Sequence, residues 1–347
     1  MLFFTFLGTR PLAVPDEGRY AEIPREMNAT GNWGVPHLNG VPYLEKPPLM
    51  YWLNALAQKW GGRSFFFCRL VNALFGVGTG ILLYLFGRRL GAGVGEWSAL
   101  IFSTSLLGFG MSQMLTLDMG LTFFTTATLF LLLEAALSEE AAPRRRYFMG
   151  AGLAAAGAVM TKGLVGFIFP LLIWVPWLIL SGRLGRLKDK WWWRGLGLTL
   201  CLLIPWHMWI LHRYPGFAKF YFWHEHFERY LTPAHHRSKF LFFIPLSFLM
   251  GFFPWILFLP RAWYRFSITH SPARERLRYA TVWMGGVVLF FTFSNSQLIP
   301  YVLPAIPPAA LWVGWALSQR GPTLFKPELQ LAGLLYMMAA FLAPLVM

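Results

Sequence analysis

The stretch Pro15-Asp16-Glu17-Gly18-Arg19-Tyr20-Ala21-Glu22, continued by Arg25-Glu26-Met27 and then by Tyr43-Leu44-Glu45-Lys46-Pro47-Pro48-Leu49 with Tyr51-Trp52, is a polar island in an apolar chain. Five carboxylates (Asp16, Glu17, Glu22, Glu26, Glu45) and three cations (Arg19, Arg25, Lys46) fall within 31 positions. Elsewhere grease dominates: 56% of the 347 residues are hydrophobic and 13% charged, against roughly 25% charged in a soluble domain. Runs of about 18 or more apolar residues recur, each long enough to cross the ~30 Å hydrocarbon layer. The chain therefore reads as an all-α, polytopic membrane protein. Strands are not expected, because open sheet edges go unsatisfied in lipid.

Apolar spans are expected at about 65–86, 97–114, 119–137, 147–160, 163–181, 196–212, 240–260, 279–295, 298–317 and 329–346. Met1 to Leu7 is too short to span and reads as the tail of a first helix. No repeat or linker divides the chain, so 1–347 is expected to be one membrane domain, with a first loop at about 9–62 and no soluble domain after the spans. Alternation of sides gathers 17 of the 30 basic residues into five short loops, around Arg88, Arg144, Arg183–Arg194, Arg261–Arg278 and Arg320. The positive-inside rule puts those loops in the cytoplasm. The net charge of +15 is thus read as topology, and no nucleic-acid partner is expected. Cys68 and Cys201 sit in apolar segments and form neither a disulfide framework nor a metal pair.

Every unusual polar constellation falls on the opposite, extracytoplasmic face. Asp16 and Glu17 with Arg19 place two acids and a guanidinium within one turn. They read either as a helix start, with Asp16 as N-cap, or as an ionised base beside a reacting centre. Lys46 stands ahead of an apolar run, and its prolines suit a helix start. It reads either as a snorkelling lysine or as a charge for a lipid phosphate. Lys162 in Met160-Thr161-Lys162-Gly163 has the same two readings. Asp118 at the mouth of two spans is an N-cap or a functional acid, since such a carboxylate is costly unless wet or paired. The stretch Trp223-His224-Glu225-His226-Phe227-Glu228-Arg229-Tyr230, with His235-His236-Arg237 beyond it, lacks the H-E-x-x-H spacing of a zinc protease. It becomes a metal site only if a first-loop carboxylate approaches it; otherwise it is a solvated loop. Phe293 to Pro304 interrupts two spans with polar residues and prolines, as tolerated where backbone lines a cavity, and Tyr301 would project from it.

The pattern P-D-E-x-R-Y-A-E-I-x-R-E-M, then G-N-W-x-x-P-x-L-N-G-x-x-Y-x-E-K-P-P-L-x-Y-W, resembles the bacterial aminoarabinose–lipid A transferases. More broadly it resembles the GT-C membrane glycosyltransferases, which include the protein O-mannosyltransferases. The match continues through Asp118, Thr161-Lys162-Gly163, Glu225-His226 with Arg229, and Leu298 to Pro304. The resemblance implies a GT-C helical bundle with interfacial helices in the first loop and a polyprenyl-phosphate sugar donor. It implies inverting transfer on the extracytoplasmic side of the cell inner membrane. By the same resemblance, Asp16 matches the catalytic acid, Arg19 and Lys46 match cations near the donor phosphate, and Tyr301 matches a donor-contacting tyrosine. Glu45 and His226 match positions associated with a bound metal ion, so a divalent metal is a candidate cofactor. Gln297 stands where relatives often carry lysine, and Pro24 interrupts the helix pattern of the first loop.

The site expected from this reading has Asp16, Asp118 and Glu17 as catalytic acids. Arg19, Lys46, Lys162, Arg229 and Tyr301 hold donor phosphate and sugar, and Glu45 with His226 holds metal. The acceptor is a lipid such as lipid A, a protein or a glycan, with membrane lipids around the spans. No Gly-rich nucleotide loop is apparent, which fits a lipid-linked donor without a nucleotide cofactor. The alternative is a polytopic transporter of a lipid-linked or anionic substrate. It predicts repeated halves or mid-span charges; no repeat is visible, and Glu134 is the main acid inside a span. A scaffold protein would not need its acids gathered on one face.

Overall fold

The computed structural model describes residues 2–62, 64–228, 230, 239–268, 273–320 and 325–346. The first loop folds into two helices, α1 (Asp16–Thr30) and α2 (Leu49–Gly61), which pack on each other through Ile23, Met27, Met50, Tyr51 and Ala55. Helix α1 runs unbroken through Pro24. The expected interruption does not occur: Pro24 lies buried within a continuous helix. A two-residue hairpin pairs His37 with Pro42 and Leu38 with Val41. Its turn residues, Asn39 and Gly40, both take positive φ, the backbone an Asn-Gly pair supplies. Buried Glu26 accepts both turn amides, at 2.5 Å from Asn39 and 3.0 Å from Gly40. Among the described residues this is the only strand pairing, and it lies in the first loop.

The bundle follows as α3 (Phe65–Gly87), α4 (Val94–Thr104), α5 (Leu106–Ser112), α6 (Asp118–Leu137), α7 (Ala141–Lys162), α8 (Val165–Leu180) and α9 (Lys190–Arg213). After a π-helix at Lys219–Glu228 come α10 (Phe243–Gly251), α11 (Leu259–Ile268), α12 (Arg274–Thr292), α13 (Ile306–Arg320) and α14 (Lys326–Val346). Among the described residues four helical segments are long and apolar enough to cross a membrane: Phe65–Gly87, Asp118–Leu137, Lys190–Arg213 and Ile299–Gln319. The chain is a multi-pass membrane protein. Its interior is aromatic, with Trp174, Trp177, Trp283, Trp312 and Trp315 all fully buried.

Two expected spans are broken. The one at 97–114 divides at Ser105, whose extended backbone and side-chain bond from the Gly108 amide start a new helix. The one at 240–260 bends by 96° between Phe243–Gly251 and Trp255–Ser267, where Pro254 has no amide to continue the ladder. The breaks face each other. The Leu106 amide donates to the Phe253 carbonyl at 3.0 Å, and the Trp255 indole donates to the Thr104 hydroxyl at 2.9 Å. Irregular backbone at membrane depth is thereby satisfied inside the protein.

Candidate functional site

One end of the bundle opens into a cavity of about 420 Å³. Its charged wall is assembled from four separate segments. Lys46 comes from just before α2, Asp118 from the first turn of α6, Lys162 from the last turn of α7 and Glu225 from the π-helix. Tyr301 and Tyr230 also line it, and Leu121, Val165, Ile168, Phe290 and Phe291 give it a largely apolar lining. Each lysine carries a carboxylate. Lys46 donates to Glu225 Oε2 at 2.7 Å, and Lys162 donates to Asp118 Oδ1. The Lys162 ammonium also lies 4.7 Å from the Tyr301 ring centroid, in cation–π range. The N-cap of α6 is Leu117 and Asp118 is the first residue inside the helix, so the capping reading fails there. Snorkelling fails for Lys46, whose side chain is only 10% exposed.

Beside the cavity stands a second network. Arg19 bridges to Asp16 at 3.4 Å and donates to the Tyr43 hydroxyl at 3.4 Å, while that hydroxyl donates to Glu45 at 2.8 Å. Asp16 is the first residue of α1, whose N-cap is Pro15, and its side chain is 63% exposed. Partly buried Tyr20 packs on the cluster between α1 and α2 and stacks on Tyr51, ring centroids 6.2 Å apart. Burial pushes its phenol well above the ordinary value; Tyr43, Asp118 and Asp16 add to the push, and Arg19 opposes it. The bond to Tyr43 holds the Arg19 proton more tightly still, against the effect of its burial.

Glu17 departs from the expected role. Its side chain is fully buried and bound by Arg69 at 2.8 and 2.9 Å, by Arg10 at 2.6 and 3.2 Å, and by the amides of Ala13 and Leu115 at 2.8 Å each. Burial raises its proton affinity, but the Arg69, Arg10 and amide bonds outweigh that and hold the carboxyl down to about 2. Such a saturated carboxylate is an anchor rather than an acid–base group. Arg69 places all five of its N–H donors on Glu17 and on the carbonyls of Leu7, Arg10 and Pro11. The sequence signal for it was its being the single charge within the apolar helix 65–87, which by itself marks a partnered residue. Glu225 was legible only as part of a polar stretch.

Residues 7–221, well over half of the chain, match the family described as dolichyl-phosphate-mannose-protein mannosyltransferase. The chain belongs to that family. It is 33% identical over 316 residues to the undecaprenyl phosphate-alpha-4-amino-4-deoxy-L-arabinose arabinosyl transferase of Shewanella sediminis, covering 90% of this chain and 57% of that relative. The second such transferase of Pseudomonas fluorescens is 32% identical over 328 residues, with the same coverage. The crystal structure of ArnT from Cupriavidus metallidurans bound to undecaprenyl phosphate superposes with a TM-score of 0.89 at 30% identity, covering 99% of this chain and 63% of that one. The chain thus spans 57% of the length of these curated relatives and 63% of the solved chain, and its bundle is a GT-C fold.

Within this family member, the remaining expected site residues are placed unevenly. Arg229, the His226 side chain and the stretch His235-His236-Arg237 lie outside the described residues. Glu45 accepts the Tyr43 hydroxyl at 2.8 Å, and Glu225 is engaged by the Lys46 ammonium. Among the described residues no three His, Cys, Asp or Glu side chains gather as a metal would require. The His226 side chain, one of the two positions matched to the metal, is not among them. Gln297 is buried and donates to the carbonyls of Phe291 and Thr292 at 3.3 and 2.9 Å, so it closes the end of α12. His224 and Glu228, at i and i+4, pair at 2.8 Å.

Proposed function

We propose that this chain carries the donor site of an inverting glycosyltransferase, which moves a monosaccharide from a polyprenyl phosphate to a lipid acceptor, lipid A first among them. The reaction takes place on the extracytoplasmic face of the inner membrane. One observation supports this most: an apolar lining and two lysine ammonium groups share one cavity. That is the chemistry of a hydrocarbon chain ending in a phosphate. The prenyl chain lies against Leu121, Val165, Ile168 and Phe290, and the phosphate reaches Lys46 and Lys162.

The acceptor hydroxyl approaches the sugar from the water side. Asp16 takes its proton as the oxygen bonds to the anomeric carbon. The bond from that carbon to the phosphate oxygen breaks, its electron pair leaves with the phosphate, and the lysines stabilise the developing charge. A single displacement inverts the anomeric centre. Asp118 is the second candidate base, because it lines the cavity itself.

The test is a transfer assay on purified protein. It offers undecaprenyl-phosphate-linked monosaccharides, including 4-amino-4-deoxy-arabinose and mannose, and identifies products by mass spectrometry. Asp16→Asn is expected to abolish transfer with insertion and stability retained. Wild-type turnover in that variant, with loss in Asp118→Asn, moves the base to Asp118. Absence of transfer from every donor, with uptake of labelled donor into vesicles, would replace the enzyme by the transporter.

A further inference from the structure

We infer that Glu225 is a positioning residue for the donor phosphate, acting by holding the Lys46 ammonium at the cavity wall. The inference rests on the proposed function of the cavity. Lys46 and Glu225 are 179 residues apart in sequence, yet their side chains are 10% and 4% exposed and meet at 2.7 Å. Both line the cavity.

The backbones of both partners ride on one buried cluster. Leu44 and Leu49 bracket Lys46, and Tyr221 and Phe222 precede Glu225. All four pack with Val35, Met160, Trp206, Ile210 and Phe217. Trp206 ties this cluster to the first loop by donating to the Gly34 carbonyl at 3.0 Å. The Glu225 carboxylate is therefore delivered from a packed frame onto the ammonium of a long four-carbon stem. An ammonium has three N–H donors, so a carboxylate and a phosphate can share it. A buried ion pair is weak evidence for stability alone, since apolar packing serves as well. One set in the wall of a cavity that also holds the Lys162 ammonium has a use that apolar packing lacks.

The experiment is a double-mutant cycle reading undecaprenyl phosphate binding by native mass spectrometry, on wild type, E225Q, K46A and the double variant. E225Q is expected to weaken binding about tenfold. K46A is expected to weaken it at least as much, and the double variant no further than K46A. In transfer assays E225Q raises the donor KM more than it lowers kcat, and E225D, which keeps the charge, falls between wild type and E225Q. Unchanged or tighter binding in E225Q overturns the inference; tighter binding would mark the carboxylate as a competitor of the phosphate. An equal further loss in the K46A background also overturns it, leaving Glu225 a brace for the fold. If E225Q does not fold, E225D carries the same cycle. Wild-type protein that fails to bind undecaprenyl phosphate would remove the phosphate reading of the cavity itself, and the inference with it.

Discussion

Asp16 and Glu17 are adjacent, yet one side chain is 63% exposed and the other fully buried. On α1 they point apart, Asp16 toward water and Glu17 into a clamp made by Arg10, Arg69 and the Leu115 amide. The clamp fixes the start of α1 against the segment that leads to Asp118. Glu17→Gln is therefore expected to destabilise the protein, by about 3–5 kcal/mol, because it leaves buried guanidinium charge unpaired. The pH dependence follows from the lowered carboxyl. Its contribution is complete above the ordinary value of 4.5 and is lost as pH falls toward about 2, with a total of about 3 kcal/mol. Thermal unfolding between pH 7 and pH 3 checks both points. Wild type should lose stability below pH 4.5, and Glu17→Gln should start lower and lose less. An unchanged melting profile would return Glu17 to the list of reacting groups. Lys46→Ala belongs to the other class: its expected effect is a donor KM raised tenfold or more, read by transfer kinetics.

At the scale of elements, the spans were legible because hydropathy sums over a whole helix and survives local irregularity. Helices α3, α6 and α9 lie where the apolar runs predicted them. The breaks at Ser105 and at 252–254 were not legible. They depend on backbone groups from two segments satisfying each other, Leu106 with Phe253, and hydropathy carries no such pairing. The same limit applied to the site. Asp118 and Lys162 were each read as polar residues at helix mouths, but their pairing needs α6 and α7 side by side. Lys46 and Glu225 are further apart still. Glycine sets α7 against α9. A Cβ on Gly152 would come within 2.2 Å of the Gly195 carbonyl oxygen, and one on Gly195 within 2.4 Å of the Phe148 carbonyl oxygen. Helices α7 and α9 thus touch backbone to backbone, as small residues permit in membranes. Gly152→Leu is expected to part them at a cost of about 2 kcal/mol or more, and to lower transfer by displacing Lys162 at the end of α7. The melting temperature in detergent and the transfer rate should fall together; a stable variant with full activity would refute the contact.

For the whole molecule, charge is sorted by end. The cavity end holds the Lys46–Glu225, Lys162–Asp118 and Arg19–Asp16 pairs. The other end holds Arg89 and Arg276 on Glu134, Arg144 on Asp189, and Arg186 on Glu139. In the second group the acids are outnumbered by basic residues in short loops, which is the signature of a cytoplasmic face. A donor whose sugar is presented outside the cytoplasm requires the cavity at the opposite face, and single-cysteine labelling tests that requirement directly. Val41 is exposed in the first-loop hairpin, and Leu184 is exposed in the basic loop after α8; Gly216 is exposed just before the π-helix. In a background with Cys68 and Cys201 replaced by serine, Val41→Cys and Gly216→Cys should react with a membrane-impermeant maleimide on intact spheroplasts. Leu184→Cys should react only after permeabilisation. Labelling of positions 41 and 216 from opposite sides would break the cavity apart, since its wall draws on both segments. Labelling of both only after permeabilisation would leave the cavity whole but turn it toward the cytosol, where an outward-facing lipid-linked sugar cannot reach it.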